Sequence, residues 1–375
     1  MLPKIINYLR YCLLILFILS SLTACTLDED IPQAESQPSP MVQNTESAPV
    51  ATLPPLATLP PPLPTHFPNK VPSPIPSPQS TAKSASSAPL TPDFAACPLD
   101  MCIQKGHFWF SSPIDPSGST QIDATYRYAS TQNMLREIHH GVDIKNELGI
   151  PVLAVADGEV IVAGDDKQTA SGPETEFYGN LVILKHDFPE YPRPVFTLYG
   201  HLSKVLAQSG QIVKRGEPIG LVGMTGIAIG YHLHFEVRVS VNDYDHTRNP
   251  ELWLLPQKKD MGALAGRLVA KDGSPVRVAK VVLNGLDQAT SGLPIYLDTY
   301  DDPPIPHELG SRDDSFLMPY TTTVLGRDDD WREDFALSNL PAGQYSLSFS
   351  AGRVYQKDFE IKPGQITLLK IEVGE

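Results

Sequence analysis

Tyr231-His232-Leu233-His234-Phe235-Glu236 is the stretch on which the reading of this chain turns. Val, Leu, Phe and Tyr surround it, which marks a strand. Side chains two apart on a strand share a face, so His232 and His234 point the same way. Each imidazole needs a hydrogen-bond partner or a metal, which makes an adjacent pair poor core filling. Two readings fit: a surface pair on a half-exposed strand, or part of a metal site.

Working outward, residues from about 106 to 255 alternate short runs of Val, Ile, Leu and Tyr with Gly, Pro, Asn and Asp turns. Strands are expected at 151–156, 159–163, 180–185, 195–199, 218–223 and 232–239. With no long amphipathic helix in view, the fold class is mainly β, with an antiparallel sheet or sandwich. Two more segments bring histidine to this region: His139-His140-Gly141-Val142-Asp143, and Leu198-Tyr199-Gly200-His201-Leu202 at a strand end. A catalytic zinc site takes three N/O ligands and keeps a fourth position open. His139, Asp143 and His234 would supply two nitrogens and one oxygen, leaving His201 and His232 to act on water and on a substrate carbonyl. Spacing alone does not say which histidines are ligands.

These segments, in this order, resemble the zinc metallopeptidases of the LytM/lysostaphin type, peptidase family M23. The resemblance also rests on Gly149-Ile150-Pro151-Val152, Ala156-Asp157-Gly158-Glu159-Val160, Tyr178-Gly179-Asn180, Gly223-Met224-Thr225-Gly226 and Asn249-Pro250. It implies an antiparallel sheet forming a groove over Zn2+, ligated by His139, Asp143 and His234. It implies His201 and His232 as catalytic histidines, and endopeptidase cleavage of stems or cross-bridges in peptidoglycan. The run Ile227-Ala228-Ile229-Gly230-Tyr231 departs from the Ser/Thr and Gly-Pro pattern of many members and would reshape the groove. The polar insertion 165–177 reads as a surface loop or a groove wall.

The remainder sets the context. Lys4 and Arg10 precede a 14-residue apolar run, short for a membrane span of about 20 residues. It reads as a signal peptide, 1–24, ending in Leu22-Thr23-Ala24-Cys25, which resembles a bacterial lipobox. That resemblance implies a lipid anchor on Cys25 and a location outside the cytoplasm, on a bacterial cell membrane or outer membrane, facing the wall. Residues 25–94 are rich in Pro, Ser and Thr, with no glycine before Gly106, and read as a stiff spacer. Cys97 and Cys102, in a C-x4-C pair, are expected to form a local disulfide. The domain boundaries are set at 95–256 for the peptidase-like region and 260–375 for a seven-stranded β-sandwich. Asp334-Phe335-Ala336-Leu337 and Leu340-Pro341-Ala342-Gly343-Gln344-Tyr345 make the latter resemble carboxypeptidase-regulatory or transthyretin-like domains. The acidic run Asp328-Asp329-Asp330 reads as a solvated turn, His186 as solvated, and Phe108, Trp109 and Phe110 as core or a domain seam. A net charge of −14 and pI near 5.1 argue against nucleic-acid binding. The alternative function is a catalytically silent peptidoglycan-binding or regulatory lipoprotein on the same fold.

Overall fold

The computed structural model describes residues 100–132, 136–277, 279–292, 294–300, 325–329 and 331–374, all within the compact unit Ser84–Glu375. The signal segment, Cys25, the 25–94 spacer, Cys97 and Asp330 lie outside the described residues. Cys102 is disulfide-bonded. No helix among the described residues is long and apolar enough to cross a membrane.

The regular elements of the described residues are eighteen strands and two short 3₁₀ turns, at Tyr244–His246 and Pro250–Leu252. They are β1 (Met101–Lys105), β2 (Val142–Lys145), β3 (Pro151–Leu153), β4 (Gly158–Asp165), β5 (Asn180–His186) and β6 (Val195–Gly200). Next come β7 (Lys204–Val205), β8 (Ile212–Val213), β9 (Pro218–Leu221), β10 (His232–Val239) and β11 (Thr247–Arg248). The last seven are β12 (Met261–Ala270), β13 (Lys280–Gly285), β14 (Ile295–Asp298), β15 (Phe335–Pro341), β16 (Gly343–Ala351), β17 (Arg353–Ile361) and β18 (Gln365–Val373).

β10 is the axis of the central sheet, whose order is β11-β10-β6-β5-β4-β8. One edge of β10 pairs with β6, and the other with β2 and then β11, all antiparallel. Strand alternation sorts its side chains onto two faces. Leu233, Phe235, Val237 and Val239 enter the main apolar core with Val182, Leu184 and Tyr199. His232, His234, Glu236 and Arg238 take the opposite face, yet every residue of β10 is buried. On the same face, the neighbouring strands β5 and β6 carry a smaller apolar cluster of Leu181, Ile183, Phe196 and Leu198, which Tyr178 joins. A three-stranded sheet, β3-β9-β7, completes the domain.

Two four-stranded sheets, β1-β18-β12-β15 and β14-β13-β16-β17, form the C-terminal sandwich. All seven strands expected after residue 260 are present, because short alternating runs between turns are their own signature. An eighth, β1, joins them from ahead of the central domain by pairing antiparallel with β18. The sequence boundary at 95 assigned β1 to the central region; a five-residue strand carries no mark of its distant partner. β12 and β18 run parallel, so the sandwich is mixed. Within β12, Leu264 and Leu268 fill the sandwich core while Ala263 and Ala265 join the central core, so the two domains share a sheet. At their seam His107 stacks on Trp331 at 4.4 Å, packs on Trp253 at 4.1 Å and meets Asp328 at 3.0 Å.

Candidate metal centre and groove

Pairing of β2 with β10 sets Asp143 opposite His234. His139 comes from the segment just before β2. Its Nε2 lies 3.2 Å from His234 Nδ1 and 3.2 Å from Asp143 Oδ1, and the remaining side, His234 Nδ1 to Asp143 Oδ1, is 3.0 Å. Zinc held by nitrogen and oxygen at about 2.0–2.2 Å in a tetrahedron places neighbouring ligand atoms about 3.3 Å apart. The near-equilateral triangle of two nitrogens and one oxygen therefore fits such an ion. Among the described residues it is the one group of His, Cys, Asp or Glu that converges this way. Burial opposes charge on Asp143, but the His139 and His234 imidazoles hold its carboxyl well below the usual range. Gly141 sits between the two N-terminal members because a Cβ there would lie 2.8 Å from the His234 ring.

The ring nitrogens facing away from the triangle are held. His139 Nδ1 donates to the Tyr126 carbonyl at 2.8 Å, and its ring stacks on Tyr126 at 4.1 Å and 2°. His234 Nε2 bonds Glu236 Oε1 at 3.0 Å. The other Glu236 oxygen receives Arg238 Nε at 2.7 Å, and the Tyr178 hydroxyl donates to Oε1. Burial opposes ionisation of Glu236, but Arg238 and the His234 ring bring its pKa down to about 2. This carboxylate–histidine arrangement fixes the His234 tautomer and orientation. From His234 to Arg238 the polar row of β10 is thus one connected chain, which is why it tolerates full burial.

His201 and His232 are wired alike. His201 Nδ1 bonds the Thr225 carbonyl at 2.8 Å, and His232 Nδ1 the Gly230 carbonyl at 2.9 Å, so each donates from Nδ1 and presents an Nε2 lone pair. The two rings stand 4.9 Å apart, and His232 Nε2 is 3.6 Å from Asp143 Oδ1. Burial first, then the neighbouring imidazoles, lowers the His201 pKa to about 3; burial also lowers that of His232. His201 has a left-handed backbone, φ 60°, at a cost of about 1–2 kcal/mol for a side-chain-bearing residue.

The groove above is walled by Tyr126, Arg136, Phe177, Ile227, Ile229 and Tyr244. Ile227 and Ile229 are exposed, so the run that departs from the family pattern does form part of the rim. Phe177 closes the insertion 165–177 and walls the groove from that side. The rim is pinned where Gly179 and Gly226, both with positive φ, cross so closely that a Cβ on either would come within 2.4 Å of the other's nitrogen.

All five residues singled out in this region converge here. Other expectations change. His186 is fully buried, bonded to the Asp157 carbonyl and Thr197 Oγ1 at 2.8 Å each; its charged flanks Lys185 and Asp187 gave it the look of a strand exit. Asp328 is buried, and Asp329 pairs with Arg193 at 2.7 Å and Arg248 at 3.1 Å, so these two acids seal a seam instead of lining a solvated turn. His140, given no role from the sequence, is buried against Tyr244, with centroids 3.7 Å apart. Glu236 and Arg238 were not singled out in the sequence, although the period of two begun by His232 and His234 reaches both. Tyr126 and Tyr178 carry no local signal.

Residues 137–248 match the family model described as peptidase family M23. The chain is 39% identical over 101 residues to the peptidoglycan DD-endopeptidase ShyB of Vibrio cholerae, across 27% of this chain and 20% of that protein. It is 42% identical over 102 residues to an uncharacterized metalloprotease of Haemophilus influenzae, across 27% and 19%. It is 32% identical over 178 residues to the DD-carboxypeptidase/endopeptidase Mpg of Neisseria meningitidis, across 44% and 37%. The chain thus spans well under half the length of each of these relatives.

Proposed function

We propose, starting from the peptidase family M23 domain of residues 137–248, that this protein is a zinc metalloendopeptidase hydrolysing cross-links or stems of bacterial peptidoglycan. It would be lipid-anchored through Cys25 outside the cytoplasm, with residues 25–94 as the spacer and 260–375 as an accessory sandwich. The observation that carries the reading is the triangle of His139 Nε2, Asp143 Oδ1 and His234 Nδ1, with sides of 3.2, 3.2 and 3.0 Å. The names of the matched relatives, among them a DD-endopeptidase and a metalloprotease, support the substrate class and the chemistry.

Zinc in the triangle would supply Lewis-acid polarisation of the scissile carbonyl and water acidified to a pKa of about 7. The chain's own residues manage the proton. His232 accepts it at Nε2, beside the Asp143 carboxylate that stabilises the resulting imidazolium. Burial disfavours the charged ring, so the imidazolium gives the proton up to the leaving amine. The same wiring limits His201: its Nε2 donates to a developing oxyanion only after it has itself gained a proton. Glu236 and Tyr126 keep the ligand rings aimed inward, and the apolar rim of Ile227 and Ile229 excludes water.

The test is digestion of cross-linked muropeptides by the purified protein, read by mass spectrometry. Expected are conversion of cross-linked species to monomers, loss of that conversion with chelator and recovery on adding zinc. Zinc bound at one equivalent with every cross-linked species intact would assign the domain to binding instead.

A further inference from the structure

Residues 123–132 flank the metal triangle yet pack into the core of the other domain. Tyr128 and Ala129 are buried in the sandwich cluster with Leu264, Leu268, Tyr300 and Phe335. The Tyr128 hydroxyl donates to the Gly326 carbonyl at 2.7 Å, and its ring meets Tyr300 edge-on at 5.6 Å. Arg127 Nη1 bonds Glu251 Oε1 at 2.6 Å, and the other Glu251 oxygen accepts the backbone N–H and hydroxyl of Ser338 on β15 at 2.9 and 2.8 Å. Glu251, 1% exposed, therefore ties this stretch to the sandwich.

The same stretch fixes His139. Ala129 N–H donates to the His139 carbonyl at 2.7 Å, and His139 N–H to the Ser130 carbonyl at 3.1 Å. Tyr126 supplies both the Nδ1 acceptor and the stacking ring. Asp143 and His234 are held on paired strands, whereas His139 depends on a loop. That loop carries two left-handed non-glycine residues, Ala129 at φ 64° and Gln132 at φ 52°. Such conformations persist where surrounding structure imposes them.

We infer that the C-terminal sandwich braces the metal centre: Tyr128 and the Arg127–Glu251–Ser338 chain are positioning residues that set His139 against Asp143 and His234. The inference rests on the reading that this triangle binds zinc. Groups that orient a ligand ring change metal affinity without touching the metal.

The test measures zinc affinity of the metal-free full chain by chelator competition, well below its unfolding temperature, for Tyr128→Phe, Arg127→Met, Arg127→Lys and Glu251→Gln. Expected is about tenfold weaker binding in Arg127→Met and Glu251→Gln, a smaller loss in Tyr128→Phe, and recovery in Arg127→Lys, which keeps the single contact to Glu251. A merely structural role would lower the unfolding temperature and leave the affinity of the folded protein unchanged, and that result overturns the brace. Tyr128→Phe removes only a hydroxyl, so it keeps the question open to measurement if the others fail to fold. Failure of the underlying reading looks different: wild-type protein binding no zinc, or binding it equally well as His234→Ala.

Discussion

Strands β10 and β12 are both buried on both faces and use the second face in opposite ways. On β10 it is polar: His234, Glu236 and Arg238 bond in sequence, and His232 bonds the Gly230 carbonyl. On β12 it is small and apolar, Ala263 and Ala265, shaped to let a second domain close against it. A strand with core on both sides thus serves either chemistry or docking. Which one is set by whether the second face carries hydrogen-bonding groups that can complete one another, since a half-satisfied polar row would cost more than an apolar one.

The contrast breaks most sharply at His234. His234→Ala is expected to remove bound metal and lower peptidase kcat/KM on the order of 10³-fold or more, with the strand still paired. Metal analysis and muropeptide turnover on the same sample check both halves. Full metal retention would move the ligand role elsewhere.

Protonation gives the next largest effect and again separates the regions. Burial lowers the His186 pKa to about 4, while its unfolded value is about 6.5. For a depressed histidine the unfolded chain binds more protons, so stability is lost as pH falls from about 6.5 towards 4, by about 3 kcal/mol in full. In the sandwich, burial and nearby Asp328 raise the Glu333 carboxyl instead. Its contribution is lost as pH rises above the ordinary carboxylate range. Denaturant unfolding against pH is expected to show the acid-side loss flattened in His186→Asn, and the loss on raising pH above the carboxylate range flattened in Glu333→Gln. An unchanged acid limb in His186→Asn would show that its proton is not displaced by folding.

The docking face gives the smallest change. Ala265→Leu overfills the layer between the two cores and is expected to cost about 1–3 kcal/mol in denaturant unfolding. A neutral result would mean that this layer has slack that the strand's burial does not reveal.

Much of this was legible in the chain. The seven sandwich strands are short alternating runs between turns, and His139, Asp143, His201, His232 and His234 each sit in a compact local pattern. What escaped depends on partners far away in sequence. Tyr178 reaches Glu236 across 58 residues, and Arg127 reaches Glu251 across 124. His186 looked solvated because its neighbours are charged, but a strand residue is placed by its face, not by its neighbours. The boundary at 95 puts residues 101–105 with the domain that follows, and the register of β1 with β18, from Met101↔Leu369 to Lys105↔Gln365, says otherwise.

That register has a geometric consequence. β1 and β12 lie on either side of β18, so the central domain leaves and rejoins the chain at a single strand of the sandwich. Lys105 pairs with Gln365 and Ala263 with Ile366, so both ends of the intervening domain are fixed against two adjacent residues of one strand.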